Sequence, residues 1–93
     1  MLGQKRVYVI IRGRVQGVSF RYSTRKEAER LSLTGWVKNS CDGTVEAVFE
    51  GSDEKVAEML DWLQHGPPSA RVDELVTRQE QPVSTALSFV VRH

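Results

Sequence analysis

Ninety-three residues, 40% of them hydrophobic and 27% charged, predict one globular domain over residues 1–93 with a small core. The formal net charge of +1 argues against a strong general affinity for nucleic acid. The longest apolar run, Val7 to Ile11, is too short for a membrane span or a secretory signal, so we expect a cytoplasmic protein. Cys41 is the only cysteine, which excludes an internal disulfide and a cysteine-based metal cage.

The first third of the chain predicts a strand, a glycine-bearing loop and a helix. The strand, Lys5 to Arg12, carries apolar residues on both faces, which is typical of a central strand. The stretch Gly13 to Arg21 follows it, and Ser23 to Leu33 is rich in helix formers and charges. We expect Gly35 to cap the end of this helix.

The middle of the chain predicts a hairpin. A short strand, Trp36 to Asn39, is followed by a turn whose strongest signal is Asp42-Gly43. The next strand, Thr44 to Glu50, alternates so that one face is apolar and the other is expected to be wet. The inward residues are Val45, Ala47 and Phe49.

The last half predicts a helix and two strands. Ser52 is a suitable helix N-cap, and the apolar residues after it recur with helical spacing. That stripe consists of Val56, Met59, Leu60 and Leu63. A weaker strand, Arg71 to Val76, leads through a polar connection, Gln79 to Ala86, into a final alternating strand that begins at Leu87.

This order of elements predicts an α+β sandwich in which two helices cover one face of an antiparallel sheet, with a short C-terminal strand added at one edge. The third strand is expected between the first and the second, which a helix crossover makes parallel. Their carboxyl ends, at the Gly13–Arg21 loop and at Asn39, should therefore meet at one edge of the sheet, about 10 Å apart.

The loop has the ingredients of an anion site. The first N–H groups of a helix lack intrahelical partners, and Arg21 adds a planar fork of donors that matches phosphate oxygens. From spacing alone, however, a plain strand-to-helix connection with a surface arginine fits equally well. Asn39 likewise fits a residue that simply enters a turn.

Two segments resemble a known family, and this resemblance favours the anion site over a plain connection. GRVQGVSFR, Gly13 to Arg21, and GWVKNSCDGTVEAVFEG, Gly35 to Gly51, resemble the two signature segments of the acylphosphatase family. The resemblance implies a ferredoxin-like βαββαβ fold. It also implies an enzyme that hydrolyses the carboxyl–phosphate bond of acyl phosphates, with no metal and no cofactor.

The resemblance also implies roles for individual residues. Arg21 would bind the phosphoryl group and Asn39 would position the attacking water. The cradle would consist of the backbone amides of Val15, Gln16, Gly17, Val18, Ser19 and Phe20. None of these groups is a strong acid, so the leaving group must depart without protonation, as a carboxylate does. We further expect a monomer that has inorganic phosphate or sulfate as competing anions and that binds neither membrane nor nucleic acid.

Two other classes of function are weighed against this one. An RNA-binding module would need exposed aromatic side chains on the central strands, and the first strand has only Tyr8 while Phe49 faces inward. A phosphate- or carboxylate-sensing regulatory domain would bind the anion without hydrolysing an acyl phosphate. That second alternative stays open on the sequence alone.

Overall fold

A computed structural model describes residues 4–84 and 87–93, and within these residues it contains the predicted order of five strands and two helices. The elements are β1 (Gln4–Arg14), α1 (Phe20–Arg30), β2 (Thr34–Asn39), β3 (Val45–Ser52), α2 (Asp53–Leu63), β4 (Arg71–Glu80) and β5 (Phe89–Arg92). Neither helix in this part of the chain is long and apolar enough to cross a membrane.

The five strands form one sheet in the order β4-β1-β3-β2-β5. β3 lies between β1 and β2, as predicted, and it runs antiparallel to both. β5 joins the edge in parallel with β2, so the sheet is mixed at that edge and antiparallel elsewhere. Both helices pack on one face, which confirms the two-layer ferredoxin-like arrangement.

The core lies between this face and the helices. Alternate residues of β1, namely Val7, Val9 and Ile11, point into it because strand side chains alternate between the two faces. α2 contributes Val56, Met59 and Leu63 at helical spacing. The N-cap prediction for this helix is confirmed, since the Ser52 hydroxyl oxygen accepts a hydrogen bond from the Lys55 N–H at 3.3 Å.

The outer face of β3 is not wet, contrary to prediction. Glu50 is only 4% exposed, and Val48 and Thr44 are buried as well. The Glu50 carboxylate pairs with Arg6 at 3.1 Å and accepts hydrogen bonds from the N–H groups of residues 83 and 84, which follow β4. A polar segment distant in sequence therefore covers this end of the strand, and strand periodicity carries no signal for it.

Gly35 does not cap α1, so that prediction is wrong. The helix ends at Arg30, and the left-handed residue after it is Ser32, with φ 59°. Gly35 lies inside β2 with φ 134°, where an added Cβ would stand 1.9 Å from the Val48 carbonyl oxygen. The glycine is needed because the backbones of β2 and β3 approach closely there.

β4 is longer than the sequence indicates. It pairs with β1 as far as Glu80, opposite Arg6, so the predicted polar connection is shorter than expected. Most of its side chains are exposed, which leaves no clear alternation to read. Residues 85 and 86, the end of the predicted connection, lie outside the described residues.

The covered carboxylate of Glu50 makes stability depend on pH. Burial alone raises the pKa of Glu50, but hydrogen bonds from the N–H groups of Val83 and Ser84 and from Arg6 outweigh burial and lower the pKa below its ordinary value. The folded protein therefore binds fewer protons than the unfolded chain at acidic pH. This stabilisation is present above about pH 4.3 and is lost as the pH falls further.

We expect Glu50→Gln to lower the free energy of unfolding by about 1–3 kcal/mol near pH 7. The difference from wild type should narrow below about pH 4, because the Glu50 carboxyl group of the unfolded wild-type chain is then protonated and must lose that proton to make these contacts. Urea denaturation of both proteins near pH 7 and below about pH 4 measures this difference in the free energy of unfolding. The control is Glu80→Gln, which removes the more exposed carboxylate on the same Arg6 and should cost less than about 1 kcal/mol. A Glu50→Gln deficit independent of pH would contradict this account.

Candidate active site

The connection between β1 and α1 contains two residues in the left-handed region. Gly17 has φ 74° and Ser19 has φ 59° and ψ 26°. A Cβ added at Gly17 would meet nothing within 4 Å, so the glycine is required for its dihedral angle and not for space. Ser19 occupies the N-cap position of α1, but its side chain makes no capping hydrogen bond.

This backbone leaves a run of unpaired donors. Within the described part of the chain, the N–H groups of residues 16–22 donate to no backbone carbonyl, and the first satisfied one is that of Ser23, which bonds Ser19 O at 3.0 Å. The N–H groups at the start of a helix carry the positive end of its dipole. Left-handed residues in such a loop also turn successive N–H groups toward a common centre, which attracts anions.

These donors border a cleft of about 280 Å³. It is lined by Val15, Gly17, Ser19, Phe20, Arg21, Tyr22 and Asn39. The topology therefore brings Arg21 and Asn39 to one place, at the sheet edge where β1 and β2 both end. Two residues of the predicted cradle, Gln16 and Val18, do not line the cleft; Val18 packs against the core instead.

Arg21 is held by the C-terminal strand. Its Nη1 donates to the carbonyl oxygen of Arg92 at 3.0 Å and contacts His93 Nδ1 at 3.3 Å. Among the described residues, Nε and Nη2 have no hydrogen-bond acceptor. These two atoms form one bidentate edge of the guanidinium, the geometry that matches two oxygens of a phosphoryl group.

Asn39 contributes an acceptor without a partner. Its Oδ1 has less than 1 Å² of exposed surface and no hydrogen-bond partner in the described residues. An unpaired amide oxygen in such a place costs about 1–3 kcal/mol. Because the terminal torsion of an Asn side chain is roughly two-fold, either Oδ1 or Nδ2 can face the cleft.

Two carboxyl groups that follow Asn39 in the chain, those of Asp42 and Glu46, accept hydrogen bonds. The hydroxyl and N–H of Thr44 bond Asp42 at 2.6 and 3.1 Å and lower the pKa of that carboxyl group. Glu46 accepts hydrogen bonds from the hydroxyl groups of Ser40 and Tyr8, and these bonds, that of Ser40 most strongly, lower the pKa of Glu46. Both groups are ionised at neutral pH, so neither can donate a proton to a leaving group.

Three residues at the site carried no signal in the sequence reasoning. Tyr22 lines the cleft, although no motif or spacing in the sequence marks it. Arg92 and His93 contact Arg21 because β5 lies beside β2, a pairing that the sequence places only at an edge. Within residues 4–84 and 87–93, no three His, Cys, Asp or Glu side chains cluster in a way that could hold a metal ion.

Comparison with known proteins agrees with the motifs. A family model described as Acylphosphatase matches residues 7–91. The acylphosphatase of Rubrobacter xylanophilus is 52% identical over 88 residues, which are 95% of this chain and 80% of that protein.

Solved structures agree as well. An acylphosphatase from Coxiella burnetii is 41% identical and superposes with a TM-score of 0.87, covering 96% of this chain and 93% of the other. The acylphosphatase from Bacillus subtilis is 31% identical, with a TM-score of 0.92 and coverage of 96% and 99%. The chain belongs to the acylphosphatase family.

Proposed function

We propose that the chain hydrolyses the carboxyl–phosphate bond of acyl phosphates, releasing a carboxylate and inorganic phosphate, in the cleft between the β1–α1 loop and Asn39. One observation carries the proposal. A bidentate guanidinium edge, a run of unpaired backbone N–H groups and the side-chain amide of Asn39 border the same small cleft. Each is a group that a phosphoryl substrate and an attacking water would satisfy.

In the first step the phosphoryl group enters the loop. The N–H groups at the start of α1 and the Nε and Nη2 donors of Arg21 bind its equatorial oxygens. Charge on these oxygens is what a phosphoryl-transfer transition state presents, so donors fixed in advance stabilise it without reorganisation. The bonds from Arg21 Nη1 to β5 keep the guanidinium in place before the substrate arrives.

In the second step a water attacks the phosphorus. The Asn39 amide can accept a hydrogen bond from that water through Oδ1 and donate one to a phosphoryl oxygen through Nδ2. Its task is to place the water in line with the bond that breaks. An amide is too weak a base to remove the proton early, so a phosphoryl oxygen takes it.

The third step is departure of the leaving group. The new bond joins the water oxygen to phosphorus, while the acyl oxygen leaves with the electron pair of its bond to phosphorus. A carboxylate is stable as an anion near neutral pH, whereas an alkoxide is not. Because the residues that line the cleft include no Asp, Glu, His, Cys or Lys, the arrangement favours acyl phosphates over phosphate monoesters.

We further propose the oligomeric state, the competing anions and the location of the enzyme. The single domain predicted over residues 1–93 would act as a monomer, with inorganic phosphate and sulfate competing for the same donors. A cytoplasmic location agrees with the exposed free thiol of Cys41, since the cytosol keeps such thiols reduced.

The deciding experiment is release of phosphate from a simple aryl acyl phosphate, with inorganic phosphate as inhibitor and an aryl phosphate monoester as the matched poor substrate. We expect turnover of the first, competitive inhibition and little turnover of the monoester. Phosphate binding without hydrolysis of the acyl phosphate would instead identify an anion-sensing domain.

Removing the guanidinium should weaken both anion binding and turnover. We expect Arg21→Ala to raise the inhibition constant of phosphate and to lower kcat/KM. The loss of kcat/KM should correspond to about 2–4 kcal/mol of transition-state stabilisation, because a charge-assisted donor pair is lost. The control is Arg25→Ala, which removes the same charge from the next turn of α1, where Arg25 pairs with Glu29. Equal losses in the two variants would show that Arg21 acts only through the general field.

Removing the Asn39 side chain should separate binding from chemistry. We expect Asn39→Ala to retain the phosphate inhibition constant within about threefold while kcat falls by about 100-fold or more, because the interaction is made in the transition state. Steady-state kinetics with inhibition by phosphate measure both. Full kcat in this variant would contradict the role of Asn39 in positioning the water.

The left-handed turn at Gly17 should matter for anion binding. Gly17→Ala adds about 1–2 kcal/mol of dihedral strain, which the loop can relieve by turning N–H groups away from the anion. Gly43→Ala is the matched control, since Gly43 also has positive φ (91°) and open space around its Cα. We expect both variants to melt lower, but only Gly17→Ala to weaken inhibition by phosphate. Unchanged inhibition in Gly17→Ala would contradict a cradle made of backbone N–H groups.

A further inference from the structure

Gln16 does not line the cleft, and its side chain connects two parts of the site. Its Nε2 donates to the carbonyl oxygens of Ser40 and Thr44, each at 2.8 Å. These carbonyl groups stand at the two ends of the turn between β2 and β3. A primary amide has two N–H donors, and both are used here.

The two carbonyl groups are already part of a closed turn. The Ser40 N–H donates to Thr44 O at 2.8 Å, and the Gly43 N–H donates to Ser40 O at 3.2 Å. Gln16 therefore uses the second lone pair of each oxygen and binds a rigid turn. Ser40 directly follows Asn39, so the turn that Gln16 grips also fixes the end of β2 that carries the Asn39 amide.

No other hydrogen bond in the described part of the chain connects residues 15–19 to β2 or to the turn after it. The other hydrogen bonds of residues 15–19 in the described part of the chain run from Ser23 N to Ser19 O and from Ser69 Oγ to Val18 O. Neither of them reaches β2. The half-buried Gln16 side chain thus provides the hydrogen bonds that span the gap between the N–H groups of the loop and Asn39.

We propose that Gln16 is a positioning residue, whose side chain sets the distance between the phosphoryl group in the loop and the water on Asn39. This inference rests on the proposed function, because it assigns the two ends of the gap to phosphate and to water. An error of about 1 Å in such an alignment can cost about 100-fold in rate. Ground-state binding of the anion depends on the loop alone and should change little.

The test compares Gln16→Met, which keeps the length of the side chain and removes both donors, with Gln81→Met, an exposed control. We expect Gln16→Met to lower kcat by about 10- to 100-fold, with the phosphate inhibition constant changed by less than about threefold. Gln81→Met should match wild type. If Gln16→Met melts too low for assay, Gln16→Asn shortens the reach and keeps the amide, with the same expected split. An inhibition constant that rises in step with the loss of kcat would overturn the inference, because Gln16 would then only hold the loop.

A double-mutant cycle with Asn39→Ala completes the test. We expect Gln16→Met to have almost no further effect on kcat in the Asn39→Ala background, because there is no positioned water left to misalign. The same fold-loss in both backgrounds would overturn the inference. If Gln16→Met keeps wild-type kcat while Asn39→Ala loses most of it, the inference about Gln16 fails and the proposed role of Asn39 stands. If Asn39→Ala keeps full kcat, the proposed role of Asn39 and the inference about Gln16 both fail.

Discussion

The site depends on a constraint of connectivity. β1 and β2 are joined by a helix on one face of the sheet, so they run parallel, and β3 fills the space between them. Parallel strands end at the same edge. The backbone topology alone therefore places the loop before α1 and residue Asn39 at the same edge, about two strand spacings apart. That gap suits a tetrahedral anion with a water beside it.

The second constraint is that the donors of the loop stay unpaired. Seven successive N–H groups, those of residues 16–22, have no carbonyl partner among the described residues, although most backbone N–H groups in folded proteins are paired. Left-handed conformations at Gly17 and Ser19 maintain that arrangement. Packing compensates nearby, since Phe20 at the first turn of α1 is buried and its ring lies 6.1 Å from that of Trp62. A strained, donor-rich loop is thus supported by an ordinary apolar anchor.

The sequence predicted those features that follow from local patterns. Alternation gave the strands, a helical stripe gave α2, and strand connectivity gave the meeting of Arg21 with Asn39. It did not predict the burial of Glu50, because the covering segment is polar and distant. Nor did the sequence predict the hydrogen bonds from Gln16 to Ser40 and Thr44. The direction of a side chain in an irregular loop depends on the φ angles of residues such as Gly17, and hydrophobic periodicity does not predict these angles. Gly35 was misread because close strand approach and helix capping both favour glycine.

Selectivity follows from the size and chemistry of the cleft. A volume of about 280 Å³ lies at the small end of ligand sites, which typically span 300–1,000 Å³. A phosphoryl group and a water fill only part of it, and the exposed residues Gly17, Ser19 and Tyr22 border it, so an acyl chain can extend into solvent. In the proposed mechanism, discrimination among phosphate compounds therefore comes from the leaving group and not from contacts with it. Asp42 and Glu46 are held ionised by Thr44, Ser40 and Tyr8. These two carboxyl groups therefore cannot supply the proton that the leaving group of a phosphate monoester needs.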